Sequence, residues 1–427
     1  MLVFVSDLHL TDHAAGQPEL ENHLITLLES IRRRACELPE CKELELVLLG
    51  DTLDLLKTRR WFNNPGLRPW RTETAELGDL VLEIAREVLV QFQNFSSRLH
   101  QLKAELKGER GIECKVTYFV GNHDYLLNST VARLAREFVR DKLGLDGKRG
   151  EDFPEFKIWP EYRVFAAHGH QFDPLNYVYG DLKPFGDAIV IELIQGFLNR
   201  VGGTLGLPED NAIMRLLNQC YYVAPHLLAP LWTISVLART GWQEDVAECV
   251  TEAWSASFAA LADESHFREN LRRYLNIPEL NVIERTLLQS FRVPGPFRKR
   301  IGILKIADKL RKQIATEESH KRYLEGVRSA LRNYRHCRYG VIGHTHCPGL
   351  WPLELTGLEK EPRLYFNTGT LRQVHQPVIY ANKDLRHFFS GFVSTYVLFY
   401  HPRERPDGVM NQESFEFCHT KSSWRFA

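Results

Sequence analysis

Apolar residues in this chain gather in short continuous runs that stop abruptly at polar side chains. Leu2 to Ser6, Leu44 to Leu49, Val116 to Val120, Arg163 to Ala167 and Tyr339 to Ile342 are rich in β-branched and aromatic residues, as expected of strands buried on both faces. Further strands are expected at Arg363 to Phe366, Ser394 to Tyr400 and Glu413 to Phe417. Between the early runs the spacing becomes helical. Leu20, Leu24, Leu27, Leu28 and Ile31 mark one face over Glu19 to Glu37, and Glu73 to Leu106 reads as a long amphipathic helix interrupted near Asn94. Asn128, Ser129 and Thr130 offer caps for a helix over Val131 to Leu143. Alternating strands and helices make the fold class α/β.

From Pro174 to about Arg335 the strand pattern disappears. Helices are expected over Ile189 to Leu198, Ala212 to Val223, Leu227 to Ala238, Glu244 to Leu261 and His266 to Leu275. The stretch 176–335 therefore reads as an α-helical cap inserted into a discontinuous core of residues 1–175 and 336–427. Its longest charge-free segment, Leu216 to Ala238, contains Pro225 and Pro230, which suits a buried or membrane-touching helical pair better than a spanning helix. Its later part, Arg292 to Lys312, carries Arg298, Lys299, Arg300, Lys305, Lys309, Arg311 and Lys312 against Asp308, a basic patch for anionic lipid or substrate, or else a solvated face.

Composition adds mostly exclusions. Lys plus Arg balance Asp plus Glu at 54 each, so net charge argues for no nucleic-acid or membrane partner. The eight cysteines have no CxxC pair, as expected for reduced thiols in a cytoplasmic setting, and no leader precedes the first strand.

The chemistry sits where the apolar runs stop. The first ends at Asp7-Leu8-His9, a carboxylate and an imidazole two apart, which an extended backbone would put on one side to grip one ion. The second ends at Gly50-Asp51, followed by Asp54, and the glycine allows a sharp turn. The third ends at Gly121-Asn122-His123-Asp124, polar groups that are costly beside a buried strand unless a metal or phosphate compensates them. The fourth ends at His168-Gly169-His170, with Asp173 beyond, and the fifth at Gly343-His344-Thr345-His346. Each alone also fits a turn or a structural histidine. Together they sum to a binuclear metal centre.

The order and spacing of these motifs resemble the calcineurin-like metallophosphoesterase superfamily, over residues 1 to 175 and 338 to 372. The resemblance implies a two-sheet sandwich flanked by helices, with Asp7, His9, Asp51 and His346 at one metal and Asp51, Asn122, His168 and His344 at the other. Asp51 would bridge them. Mixed carboxylate, imidazole and amide donors suit two divalent ions, manganese first, with iron or zinc as alternatives. The expected reaction is in-line attack of a metal-bridging hydroxide on a phosphodiester, pyrophosphate or phosphomonoester. His123 would serve the transition state or the leaving oxygen, oriented by Asp54, and Asp124 would be structural. Gly50-Asp-Thr-Leu-Asp54, His168-Gly and the helical insertion also look like the UDP-2,3-diacylglucosamine hydrolase branch. Two departures are His170, where that branch usually has an aspartate, and the greater length of the insertion.

The loop from Lys57 to Arg71 mixes cations with aromatics. Arg59, Arg60, Trp61 and, from the fourth motif, His170 are candidate substrate contacts, while packed-down tryptophans are the plain alternative. A nuclease would use the same loop and the basic patch, but balanced charge favours a small or lipidic phosphate ester. A non-catalytic metal-stabilised scaffold is the remaining alternative. The expected location is cytoplasmic, with peripheral membrane contact through the cap as a further candidate.

Overall fold

The computed structural model describes residues 1–12, 17–178, 182–208, 210–223, 226–240, 244–278, 318–353, 362–377, 388–404 and 414–426, with positions 280, 285, 288 and 289 between them. The basic stretch 292–312 lies outside the described residues.

The first three strands, β1 (Leu2–Val5), β2 (Glu43–Leu49) and β3 (Glu113–Phe119), run parallel, so their C-terminal ends share one edge. Antiparallel β10 (Phe388–Tyr400) extends the sheet beside β1 and pairs with both β9 (Leu371–Pro377) and β11 (Ser414–Phe426). A second sheet has the order β4-β5-β6-β8-β7, from Phe156–Trp159, Val164–Ala167, Tyr339–Ile342, Arg363–Asn367 and Gly349–Leu353. Its inner strands β5, β6 and β8 are parallel. β4, β7 and β9 were not anticipated, because Phe156–Trp159 half-exposes its side chains and Gly349–Leu353 carries a proline on an edge.

Alternation along each strand explains the layers. Leu2 and Phe4 of β1, with Val47 and Leu49 of β2, face Val164, Ala166, Val341 and Phe366 of the second sheet. Val3, Val5, Leu46 and Leu48 point the other way, into a core with Leu24, Leu28 and Ile31 of α1 (Gln17–Glu37) and Ile84 and Val88 of α3 (Ala75–Gln91). α2 is the single turn Arg60–Asn63. The expected long helix divides at Phe92 into α3 and α4 (Gln93–Arg110), and α5 (Arg133–Leu143) packs beside α3. Phe165, Ala167 and Ile342 point away from the sandwich onto Val327 and Leu331 of a helix over Glu318–Asn333. The result is α/β with two mixed sheets face to face and helices on both outer faces.

Between β5 and β6 the described residues are helical. Phe185–Ala188 (α6) continues through a π-wound turn, Ile189–Gln195, into α7 (Gly196–Leu205), followed by α8 (Ala212–Asn218), α9 (Ala229–Thr240), α10 (Glu244–Asp263), α11 (Ser265–Leu275) and then α12 (Glu318–Asn333). Phe197 stacks on Trp254 at 3.9 Å, tying α7 to α10. Among the described residues no helix is long and apolar enough to cross a membrane. None of the eight cysteines is in a disulfide.

Candidate metal centre

Five strand ends converge on one crevice, but not through the extended Asp-x-His geometry that the spacing suggested. Asp7, His9, Asp51, His344 and His346 all have left-handed backbone (φ 47° to 67°), and the sole other non-glycine residue of this kind among the described residues is Arg163. Such φ values are costly for L-residues and are held only by strong surroundings. Here backbone hydrogen bonds lace the two loops together: Asp7 N–H donates to Gly50 O, His9 N–H to Asp51 O and Leu10 N–H to Thr52 O. The strain turns consecutive polar residues toward a common point.

Two glycines make the approach possible. A Cβ on Gly50, which sits at φ +82°, would lie 2.4 Å from His168 Nδ1, and one on Gly121 would lie 2.2 Å from Asp51 Oδ1. Gly121 has ordinary φ, so its requirement is purely one of space.

The expected ligands form two groups, and His9 also belongs to a third possible set with Asp54 and His123. In the first, Asp7 Oδ1 lies 3.2 Å from His346 Nε2 and 3.9 Å from His9 Nε2, and the two imidazole nitrogens are 3.0 Å apart. In the second, Asp51 meets His168 and His344. Asn122 joins them, its Oδ1 2.9 Å from His344 Nδ1. Asp51 Oδ2 is 3.3 Å from His168 Nε2 and 3.7 Å from His9 Nε2, so one oxygen stands between the groups. All seven residues expected to bind metal are thus brought together.

The surroundings fix how each ring presents itself. His168 Nδ1–H donates to Leu49 O at 2.8 Å, and His9 Nδ1–H donates to Asp54 Oδ2 at 2.7 Å, leaving Nε2 of each toward the centre. Asp7 Oδ1 and His168 Nε2 are buried with no hydrogen-bond partner. Burial lowers the affinity of His168 for a proton, yet the charges of Asp51 and Asp7 outweigh it and raise its pKa to about 9. Carboxylates and bare imidazole nitrogens gathered in this way could hold a metal ion.

Around this centre Asp54 is shared. Its Oδ1 accepts from His123 Nδ1 at 2.9 Å and its Oδ2 accepts from His9. Burial favours the neutral acid, but His123 and Lys57 hold Asp54 well below the usual carboxylate range. Burial also opposes charge on His123, and Asp54 and Asp51 overcome it to raise the imidazole pKa. Asp124 is structural: it accepts from Thr52 N–H, Tyr118 O–H and Gly121 N–H, clamping the β2 and β3 ends. Burial and Asp51 push its pKa up to about 7.

The expected substrate loop behaves otherwise. Trp61 is fully buried and donates to Leu55 O, and Arg60 pairs with Glu83 and Glu87 of α3, so neither faces the crevice. Arg59 reaches toward Gly202 of α7. His170 does arrive at the site, buried 5.4 Å from the His168 ring, and burial followed by the charge of His168 holds its pKa well down.

Two site residues, Lys57 and Arg372, escaped sequence reasoning, and Asp173 was noted there only as lying beyond the fourth strand end. Asp173 accepts from Asn176, lies 3.1 Å from His344 Nε2, and is held below the ordinary carboxylate range by His344 and Arg322 against the effect of burial. Lys57 Nζ lies 2.8 Å from Asp54 Oδ2, and burial, opposed by Asp54 and aided by Arg372, brings its pKa down to about 8. Arg372 lies 2.9 Å from His346 Nδ1. Only their nearness to Asp54, to His168 and to Asn367-Thr-Gly-Thr370 hinted at them. The sequence matches no protein-family model, and no curated protein matches it.

Proposed function

We propose that this chain is a binuclear metal-dependent phosphoesterase of the calcineurin-like type, with residues 1–175 and 336–427 as its core and the helical residues between as a cap. One observation carries the reading: seven oxygen and nitrogen ligands from five strand ends face two adjacent points, with Asp51 between them. Asp7, His9, Asp51 and His346 would hold one ion, and Asp51, Asn122, His168 and His344 the other. Such a pair neutralises phosphate oxygens and lowers the pKa of water. Manganese suits the mixed donor set first, then iron or zinc.

The chain's own residues complete the chemistry. Asp54 holds the His123 ring by Nδ1, leaving Nε2 to meet a phosphate oxygen or to protonate a leaving oxygen. The raised pKa of His123 keeps that proton available near neutrality. Asp173 orients His344 as a carboxylate behind a ligating imidazole does. His170 borders the second group and is a candidate substrate contact.

The test joins metal content to turnover. Protein reconstituted with manganese, iron or zinc is expected to retain two ions per chain and to hydrolyse members of a panel of phosphomonoesters, diesters and diphosphates. Two bound ions with no hydrolysis across the panel would leave a metal-stabilised scaffold, and no bound ion would remove the reading altogether.

A further inference from the structure

Two buried cations at the edge of the centre lack adequate acceptors. Lys57 is 1% exposed and Arg372 is 2% exposed. Among the described residues Lys57 has Asp54 as its ion partner, yet the same carboxylate already accepts from His9, His123 and the backbone N–H groups of Leu56 and Lys57. Its Nζ makes no well-directed hydrogen bond. For Arg372 the one side-chain acceptor among the described residues is His346 Nδ1, and among them its Nε is buried without a partner. The two charges are close enough to act on each other. Asp54, Asp7 and Asp51 offset part of this charge, but each of these carboxylates already serves a histidine of the centre, and like charges in a buried place call for a further anion.

Metal binding would sharpen that demand. A guanidinium only donates, so its contact with His346 requires Nδ1 to be the bare nitrogen and Nε2 to carry the proton. An imidazole that ligates through Nε2 carries its proton on Nδ1 instead. Loading the first ion therefore turns the acceptor of Arg372 into a donor and frees the guanidinium for another partner.

Two aromatic residues of the helical region cover this edge. Tyr221 presents its ring 5.6 Å from Lys57 Nζ, and the His226 ring lies 6.3 Å from that of His346. Aromatic walls exclude water and strengthen the pull of the cations on an anionic group.

Resting on the phosphoesterase reading, we infer that Lys57 and Arg372 form an anion subsite separate from the metal pair, which selects substrates bearing a second anionic group beside the reacting phosphoryl group. A phosphate or a carboxylate each presents two oxygens to which a guanidinium can donate in two-point contact.

Manganese-loaded full chain is titrated calorimetrically with inorganic phosphate, methylenediphosphonate and phosphonoacetate, comparing wild type with Lys57→Met, Arg372→Gln and the charge-keeping Arg372→Lys. Wild type is expected to bind the two doubly anionic probes at least about tenfold tighter than phosphate. Either neutral substitution should erase most of that preference, read in each variant at saturating manganese as the ratio of its affinity for the doubly anionic probe to its affinity for phosphate, and Arg372→Lys should restore part of it. The stronger of the two doubly anionic probes identifies the second group as phosphate or carboxylate. A preference that survives both neutral variants overturns the subsite and leaves the phosphoesterase standing. A wild type that retains no manganese overturns both. If Lys57→Met fails to fold, Arg372→Gln and Arg372→Lys decide.

Discussion

Asp54 Oδ1 holds His123 Nδ1 at 2.9 Å in a site where both side chains are buried. The second oxygen of the same carboxylate holds His9, a residue of the first donor group, so one side chain sets the ring orientation of a proposed ligand and of the proposed acid beside it. Asp54→Asn keeps the size but replaces one acceptor oxygen with a donor amide. Turnover is expected to fall about 10²- to 10⁴-fold, the scale of a lost general acid. Metal affinity should weaken by about 10- to 100-fold as an orienting partner of a ligand is lost. Steady-state kinetics at saturating manganese separate the two effects, because added metal recovers only the second.

Metal removal should register in stability as well. Ions that bind the folded chain alone contribute about 2.7 kcal/mol when present at 100 times their Kd. Chelation is therefore expected to lower Tm, and the drop should disappear in Asp51→Asn, since Asp51 stands between both ligand groups. Scanning calorimetry with and without chelator reads this directly. An equal drop in wild type and Asp51→Asn would mean that the ions bind elsewhere.

Much of this site was legible because its residues follow buried strands without interruption. Asp7, Asp51, Asn122, His168 and His344 each sit within a few residues of an apolar run, and parallel strand ends share an edge. What the pattern could not carry was direction. The left-handed backbone at Asp7 and His9 replaces the extended geometry that their spacing suggests, because hydrogen bonds to the Gly50–Thr52 segment outweigh local preference. Trp61 and Arg60 looked like a substrate loop since composition cannot distinguish a ring packed under Leu55 from one facing a crevice. Lys57 and Arg372 belong to no periodic pattern, and the fold alone brings these two cations, far apart in the chain, close enough to act on each other.

A buried carboxyl in the helical region supplies a pH prediction. Asp187 of α6 accepts from Tyr125 O–H at 2.7 Å, and burial raises its pKa to about 7. The folded state thus holds a proton that the unfolded chain releases near pH 4. With more protons bound in the folded state, stability declines as pH rises from about 4 through about 7. Asp187→Asn, neutral throughout, should lack this decline. Urea unfolding across that range should therefore show the difference in stability between variant and wild type shifting toward the variant as pH increases. A constant difference would show that Asp187 titrates alike in both states.

The sandwich core predicts a purely structural loss. Phe4 is fully buried between the sheets, edge-on to Trp159 at 5.3 Å and to Phe399 at 5.9 Å. Phe4→Ala removes those contacts and leaves a cavity, with an expected cost of about 3–5 kcal/mol. Equilibrium denaturation measures it, and a cost near zero would show that the sheets do not meet across this ring.

Gly121→Ala tests the centre without replacing a ligand. Its added methyl would lie 2.2 Å from Asp51 Oδ1, the oxygen that also accepts from His123 N–H. Because the backbone at Gly121 is not left-handed, the conflict is steric and falls on Asp51, which must move away from both ligand groups. The expected outcome is a folded protein whose affinity for both ions falls about 10- to 100-fold together, the scale for disturbing a group that positions ligands. Gly108→Ala is the matched control: it lies in α4, where an added Cβ meets nothing within 4 Å, so metal affinity should stay unchanged. Stability there should rise by about 0.4–1 kcal/mol, since alanine has less backbone freedom to lose in a helix. Metal titration of the two variants side by side distinguishes displacement of Asp51 from a general effect of adding a methyl group.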